Sequence, residues 1–363
     1  ARPSPPPADW DRCRPIRRFC VDRGHHQASA SGRPVDAPRF HRLDSCRVAV
    51  QPQPIIIDCD PGIDDAIALL LAFASPAKLD LLGITTVAGN VPLALTTRNA
   101  CLMRELASSH SVPVYAGCAA PLVRAPVDAG HFHGASGLGN LPVSQPDQPA
   151  SPGHAARWIV DTLRQRPSNT VTLVVMGPMT NIAQAIALDA DAVQRAQCIV
   201  AMGGARCEGG NITASAEFNI FADPHAARRV FQCGCPIVML GLDATHQVRA
   251  NPAHVAALRA VGTRAANTVA SLLEFTLQLP ANDHRDGGVP LHDPCTIAWL
   301  LDPAAFTDLP CHIDVETESP LTIGHTAVEF RVSADKPTNA RWVVSANGAR
   351  VFELLVQSLR HLP

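Results

Sequence analysis

Asp58-Cys59-Asp60-Pro61-Gly62-Ile63-Asp64-Asp65 places four carboxylates within eight residues. Charges of one sign so close together repel unless a cation lies among them, so the segment reads as a metal site. One or two aspartates ahead of an apolar run are ordinary helix caps; four exceed what a helix dipole can hold. The donors are carboxylate oxygens without His or Cys at zinc-like spacing. That donor set selects a hard ion, Ca²⁺ or Mg²⁺, and favours the larger where many protein oxygens converge. Asp58-Cys59-Asp60 also matches the first half of Asp-x-Asp-x-Thr, the nucleophile strand of phosphoryl-transfer enzymes. Gly62 stands where the Thr belongs, however, and the only lysines are Lys78 and Lys336.

The carboxylates need a strand, a turn and a helix to hold them. Ile55-Ile56-Ile57 suits a buried strand, whose two-residue period puts Asp58 and Asp60 on one face. Pro61-Gly62 supplies the turn, and the apolar run 66–72 propagates a helix with Asp64 and Asp65 in its first turn. Further β-rich runs at 81–88, 112–115, 171–176, 198–202 and 236–240 alternate with amphipathic stretches. The alternation predicts an α/β fold: a mainly parallel central sheet flanked by helices, a Rossmann-like open sheet, with a small helical subregion at 251–279 near the active site. Ligands of such sheets bind beyond the carboxyl ends of the strands. Polar clusters follow those ends: Gly89-Asn90, then 177–181, then Asn211, Glu217 and Asn219. A Gly- and His-bearing stretch, 130–140, has the composition of a lid.

With 30 basic and 32 acidic residues the net charge is −2, so nothing global attracts nucleic acid or an anionic membrane. No apolar run approaches the roughly 18 residues of a membrane span. The twelve cysteines form no Cys-x-x-Cys pair and read as free thiols in a reducing cytoplasm. Residues 1–52 are arginine-rich, glutamate-free and without apolar periodicity, and are expected to be a disordered or non-native extension; 53–363 is expected to be a single domain.

Five motifs carry a family resemblance: 58–65, Ala88-Gly89-Asn90, His133-Gly134-Ala135-Ser136-Gly137-Leu138-Gly139, Ala216-Glu217-Phe218-Asn219 and Leu291-His292-Asp293-Pro294. Together, in order over residues 54–362, they resemble the inosine-uridine preferring nucleoside hydrolases. The resemblance implies a Ca²⁺-dependent N-ribohydrolase that splits a ribonucleoside and water into free base and ribose, working as a homodimer or homotetramer. It implies Asp60, Asp65, Asp293 and the backbone carbonyl of Met176 as metal ligands, with Asp60 also the general base on a metal-bound water and Asp58 orienting the ligands from behind. It assigns ribose contacts to Asp64, Asn90, Asn211, Glu217 and Asn219. His292 would face the leaving base and protonate or hydrogen-bond it, a role suited to an imidazole near neutral pKa. His133, in the lid, would close over the base or the 5′-hydroxyl, whereas His131 has no motif support. Ala135 stands where relatives carry a charged lid residue. The stretch before the His-Asp motif lacks the tyrosines of several relatives, and 291–301 and 203–220 look most like the pyrimidine-specific bacterial branch, so uridine and cytidine are the expected substrates. Gln278, Asn282 and His284 could hydrogen-bond a pyrimidine edge, but solvated residues on a helix end are the favoured reading.

Overall fold

The computed structural model describes residues 51–279 and 288–363. Six strands match the six β-rich runs: β1 (Gln53–Cys59), β2 (Leu79–Thr86), β3 (Val114–Ala116), β4 (Thr172–Val175), β5 (Cys198–Met202) and β6 (Ile237–Leu240). They are mutually parallel and lie in the order β3-β2-β1-β4-β5-β6. Side-chain alternation splits the apolar residues between two faces. Ile55 and Ile57 of β1 join one cluster and Ile56 the other, and Val174 and Val200 oppose Leu173 and Ile199 in the same way. Both faces are covered, as a parallel sheet requires.

β1 pairs with β2 on one side and β4 on the other, so the chain reverses its direction of winding there. Such a switch point leaves a crevice beyond the carboxyl ends of the two central strands. Asp60 follows β1, and Met176 follows β4. The local logic of the sequence and the topology therefore deliver the same place.

A two-stranded ribbon joins β7 (Arg249–Ala250) to β8 (Val289–Pro290), setting His292 and Asp293 just beyond it. Three more strands extend the sheet past β6: β9 (Phe306–Val315), β10 (Thr326–Glu329) and β11 (Ala340–Ala346). β11 continues the parallel run, while β9 is antiparallel to both β11 and β10. The sequence reading did not include these three. Pro310 lies inside β9, and a proline within a run argues against a central strand unless its missing N–H is accommodated.

The helix predicted after the carboxylate turn is α1 (Ile63–Phe73). Helices Pro252–Val261 and Arg264–Leu277 form the expected helical subregion, and Phe275 of the second packs on Gly139 of the lid. Within the lid, Gly130–His133 is a single helical turn. No described helix is long and apolar enough to cross a membrane, and the nine described cysteines are free. Residues 1–50, with Asn282 and His284, lie outside the described residues.

Candidate active site

Asp65 serves two structures at once. As the third residue of α1 it accepts from the backbone N–H groups of Asp60 (3.1 Å, Oδ1) and Gly62 (3.0 Å, Oδ2), closing the helix entry. Its Oδ2 also accepts from Asn90 Nδ2 at 3.0 Å. Asn90 in turn donates its backbone N–H to Asp60 Oδ2 at 2.6 Å and its amide to the Asp60 carbonyl at 3.2 Å. The other oxygen of Asp60, Oδ1, is buried without a hydrogen-bond partner. A Cβ on Gly177 would come within 2.5 Å of that oxygen, so only glycine lets the chain after β4 approach it.

Asp64, Asp65 and Asp293 each bring an oxygen within 4.8 Å of the others. The structure thus groups Asp64 with two expected ligands and sets Asp60 beside them through Asn90. Burial, reinforced by neighbouring carboxylates, raises the proton affinity of Asp60, Asp65 and Asp293. Asp60 and Asp293 are pushed well above the usual carboxylate range, and Asp65 is pushed up to about 7 by burial and then by Asp64. A buried acidic cluster of this kind with an orphaned oxygen fits a hard, oxygen-seeking cation.

Asp58 is different. Only 1% exposed, it accepts on Oδ1 from Thr85 (2.5 Å) and Asn181 (2.8 Å), and burial raises it to about 7. Its other oxygen, Oδ2, is buried without a hydrogen-bond partner, but Asp58 does not line the cavity, which disfavours the phosphoryl-transfer reading. Asn181, from the cluster after β4, belongs to the same framework, since it also accepts from Cys118 N–H at 2.8 Å.

A cavity of about 260 Å³ opens beside the acidic cluster, and Asp64, Asn90, His133, Met176, Asn211, Glu217, Asn219, His292 and Asp293 all line it. Asp60 and Asp65 are fully buried and do not line it, but both are hydrogen-bonded to Asn90, which does. Asn219 Nδ2 donates to the Met176 carbonyl at 2.6 Å, leaving that oxygen a second lone pair. Glu217 caps the helix Phe218–Ala222 by accepting from Asn219 and Ile220 N–H, and also holds Gly204 N–H at 2.9 Å. Asn211 Oδ1 accepts from Phe218 N–H at 2.9 Å. His133 Nδ1 accepts from Ile63 N–H at 3.0 Å, so it clasps the lid to the start of α1 as well as facing the cavity.

His292 lies 2.8 Å from Thr245 Oγ1 through Nδ1. Burial lowers its pKa to about 4. At neutral pH the ring is uncharged, and a Thr245 hydroxyl donating to Nδ1 keeps its proton on Nε2.

Several lining residues escaped the sequence reading. His246 follows β6, stands 5.7 Å from the His292 ring and pairs with Glu208 at 3.0 Å; the rule of strand carboxyl ends points to it. His131 also reaches the cavity, as do Phe132 and Phe218, so the scarcity of aromatics before the His-Asp motif does not leave the pocket without rings. Gln278 is exposed at a helix end.

The family model for inosine-uridine preferring nucleoside hydrolase matches residues 55–353. The chain belongs to that family. An inosine-uridine preferring nucleoside hydrolase of Leishmania major is 39% identical over 312 residues, covering 86% of this chain and 98% of the relative. A pyrimidine-specific ribonucleoside hydrolase, RihA, from Shewanella sp. (strain MR-4) is 42% identical, covering 85% and 96%. Among solved structures, a purine-preferring ribonucleoside hydrolase from Gardnerella vaginalis superposes with a TM-score of 0.78 at 30% identity, covering 85% of this chain and 98% of that one. As a nucleoside hydrolase, the chain is an N-ribohydrolase that cleaves the N-glycosidic bond of ribonucleosides.

Proposed function

We infer that the protein is a Ca²⁺-dependent hydrolase of ribonucleosides, uridine and cytidine foremost, in which residues 53–363 act as one domain within a cytoplasmic homodimer or homotetramer. The observation that carries the reading is the orphaned Asp60 Oδ1 in a buried acidic cluster beside a cavity ringed by asparagines and Glu217. Asp60, Asp65, Asp293 and the Met176 carbonyl would hold the ion. When bound, Ca²⁺ supplies Lewis acidity toward water and a grip on sugar hydroxyls.

The residues of the chain account for the rest. Asp60 has one oxygen pinned by Asn90 and one oxygen without a partner, which places it to take a proton from the attacking water. Asp64, Asn90, Asn211, Glu217 and Asn219 offer carboxylates and amides to the ribose hydroxyls, and their negative and dipolar groups stabilise positive charge at the anomeric carbon. With the Thr245 hydroxyl donating to Nδ1, the ring proton of His292 sits on Nε2 and can be donated to the departing base. Phe132, Phe218 and Ile212 give a planar base apolar surface. The pyrimidine preference is supported by the likeness to the RihA relative and by the motif stretches 203–220 and 291–301.

Ribose release from uridine, cytidine, inosine and adenosine, measured with Ca²⁺, after chelation and after Ca²⁺ is restored, tests this reading. Release that chelation abolishes and Ca²⁺ restores, fastest with the pyrimidines, is the expected result; no release from any of the four overturns it. The role of His292 is separable. His292→Ala is expected to slow natural ribonucleosides by about a hundredfold or more, the scale of acid-base assistance, and a riboside with a 4-nitrophenolate leaving group far less. Equal losses on both substrates would remove the leaving-group role.

A further inference from the structure

Helix α2 (Leu93–Leu106) contributes no residue to the cavity lining, yet its fully buried Asn99 touches two parts of the site. Asn99 Nδ2 donates to the Pro61 carbonyl at 2.9 Å, in the turn between Asp60 and α1, and to the Ser136 carbonyl at 2.9 Å, in the lid. Its Oδ1 accepts from Arg98 Nε at 3.2 Å and Nη2 at 2.9 Å, and that Nη2 also reaches the Ser136 carbonyl at 2.9 Å. Both amide hydrogens are therefore committed, one to each segment. Since the amide is planar, the pair fixes relative orientation as well as distance.

The lid is shaped to meet this amide. Gly137 has φ +83°, a conformation that side chains rarely adopt, and a Cβ there would stand 2.7 Å from Asn99 Nδ2. The next residue, Leu138, is buried in the apolar cluster that α1 and α2 share. His133 clasps Ile63 N–H at the other end of the same segment.

We propose that Asn99 is a positioning residue for the hydrolysis: by bridging the Pro61 and Ser136 carbonyls through one amide nitrogen, it holds the lid in register with the carboxylate turn. The proposal rests on the function inferred above only for its kinetic consequence. Asn99→Asp keeps the size of the side chain but turns both attractions into oxygen-oxygen repulsions. Gly137→Ala disturbs the same contact from the lid side and leaves α2 intact.

The test compares both variants with the parent, full-length and Ca²⁺-loaded, by hydrogen-deuterium exchange and by kinetics. Residues 60–64 and 130–140 should exchange about tenfold faster or more, while β4 and β5 keep parental rates. KM should rise and kcat/KM should fall by about tenfold to a hundredfold, the scale of a small misplacement at a reacting site. A mere loss of folded protein would lower kcat, leave KM unchanged and speed exchange across the sheet. Parental lid exchange with parental KM, or uniformly faster exchange, overturns the proposal. If Asn99→Asp does not fold, Gly137→Ala decides by the same readouts. If the parent releases ribose from no nucleoside, the exchange pattern alone decides, so failure of the functional reading is distinguishable from failure of this one.

Discussion

Asp60→Asn is expected to lower kcat for ribonucleoside hydrolysis by roughly three to four orders of magnitude, the upper range for loss of a general base, with the fold intact. The substitution is nearly isosteric. It preserves an oxygen for the Asn90 N–H and fits the space that Gly177 leaves open. What changes is the oxygen now lacking a partner: an amide there can neither take a proton nor neutralise a cation. Steady-state kinetics beside a thermal melt separate the two effects. An Asp60→Asn protein that keeps a tenth of the parental kcat would show that the base lies elsewhere, with Asp64 the nearest alternative, since it shares a cluster with Asp65 and Asp293.

The second large effect is on stability. Without a cation, the protein should become less stable as pH rises from about 4 to about 7, the reverse of ordinary acid denaturation. The carboxyls of Asp58 and Asp65 titrate near 7 in the fold against 3.8 as free groups, and Asp60, Asp293 and Glu217 are also raised, all chiefly by burial. Below the unfolded value both states are protonated and the stabilisation is complete. Between the two values the folded state binds more protons than the unfolded chain, so stability falls as they are removed. A cation bound in the acidic cluster, Ca²⁺ in the proposed function, would take the place of those protons. At free ion a thousandfold above its Kd it should add about 4 kcal/mol and remove most of the slope. Scanning calorimetry between pH 5 and 8, with chelator and with Ca²⁺, checks both statements. A chelated protein more stable at pH 8 than at pH 5 would mean that the cluster is not a site of uncompensated charge.

The amino-acid sequence by itself determined the elements and the chemistry that short range can encode. The Ile55-Ile56-Ile57 run, the Pro61-Gly62 turn and the apolar run after Asp65 specify a strand, a corner and a helix through contacts between residues a few positions apart. The same local signals marked β2 to β6, and the motif set named Asp64, Asn90, Asn211, Glu217, Asn219, His292 and Asp293, which the fold gathers around one cavity. They did not mark β9 to β11, whose placement depends on pairing with β6 across the sheet and tolerates Pro310 within a strand. Tertiary structure alone decided which Asp60 oxygen is left without a partner, that Asp64 joins Asp65 and Asp293, that Thr245 and His246 stand beside His292, and that Asn99 ties the lid to the carboxylate turn. These features depend on desolvation and on partners that are mostly tens of residues away in the chain, and no periodicity or spacing within the sequence carries either quantity.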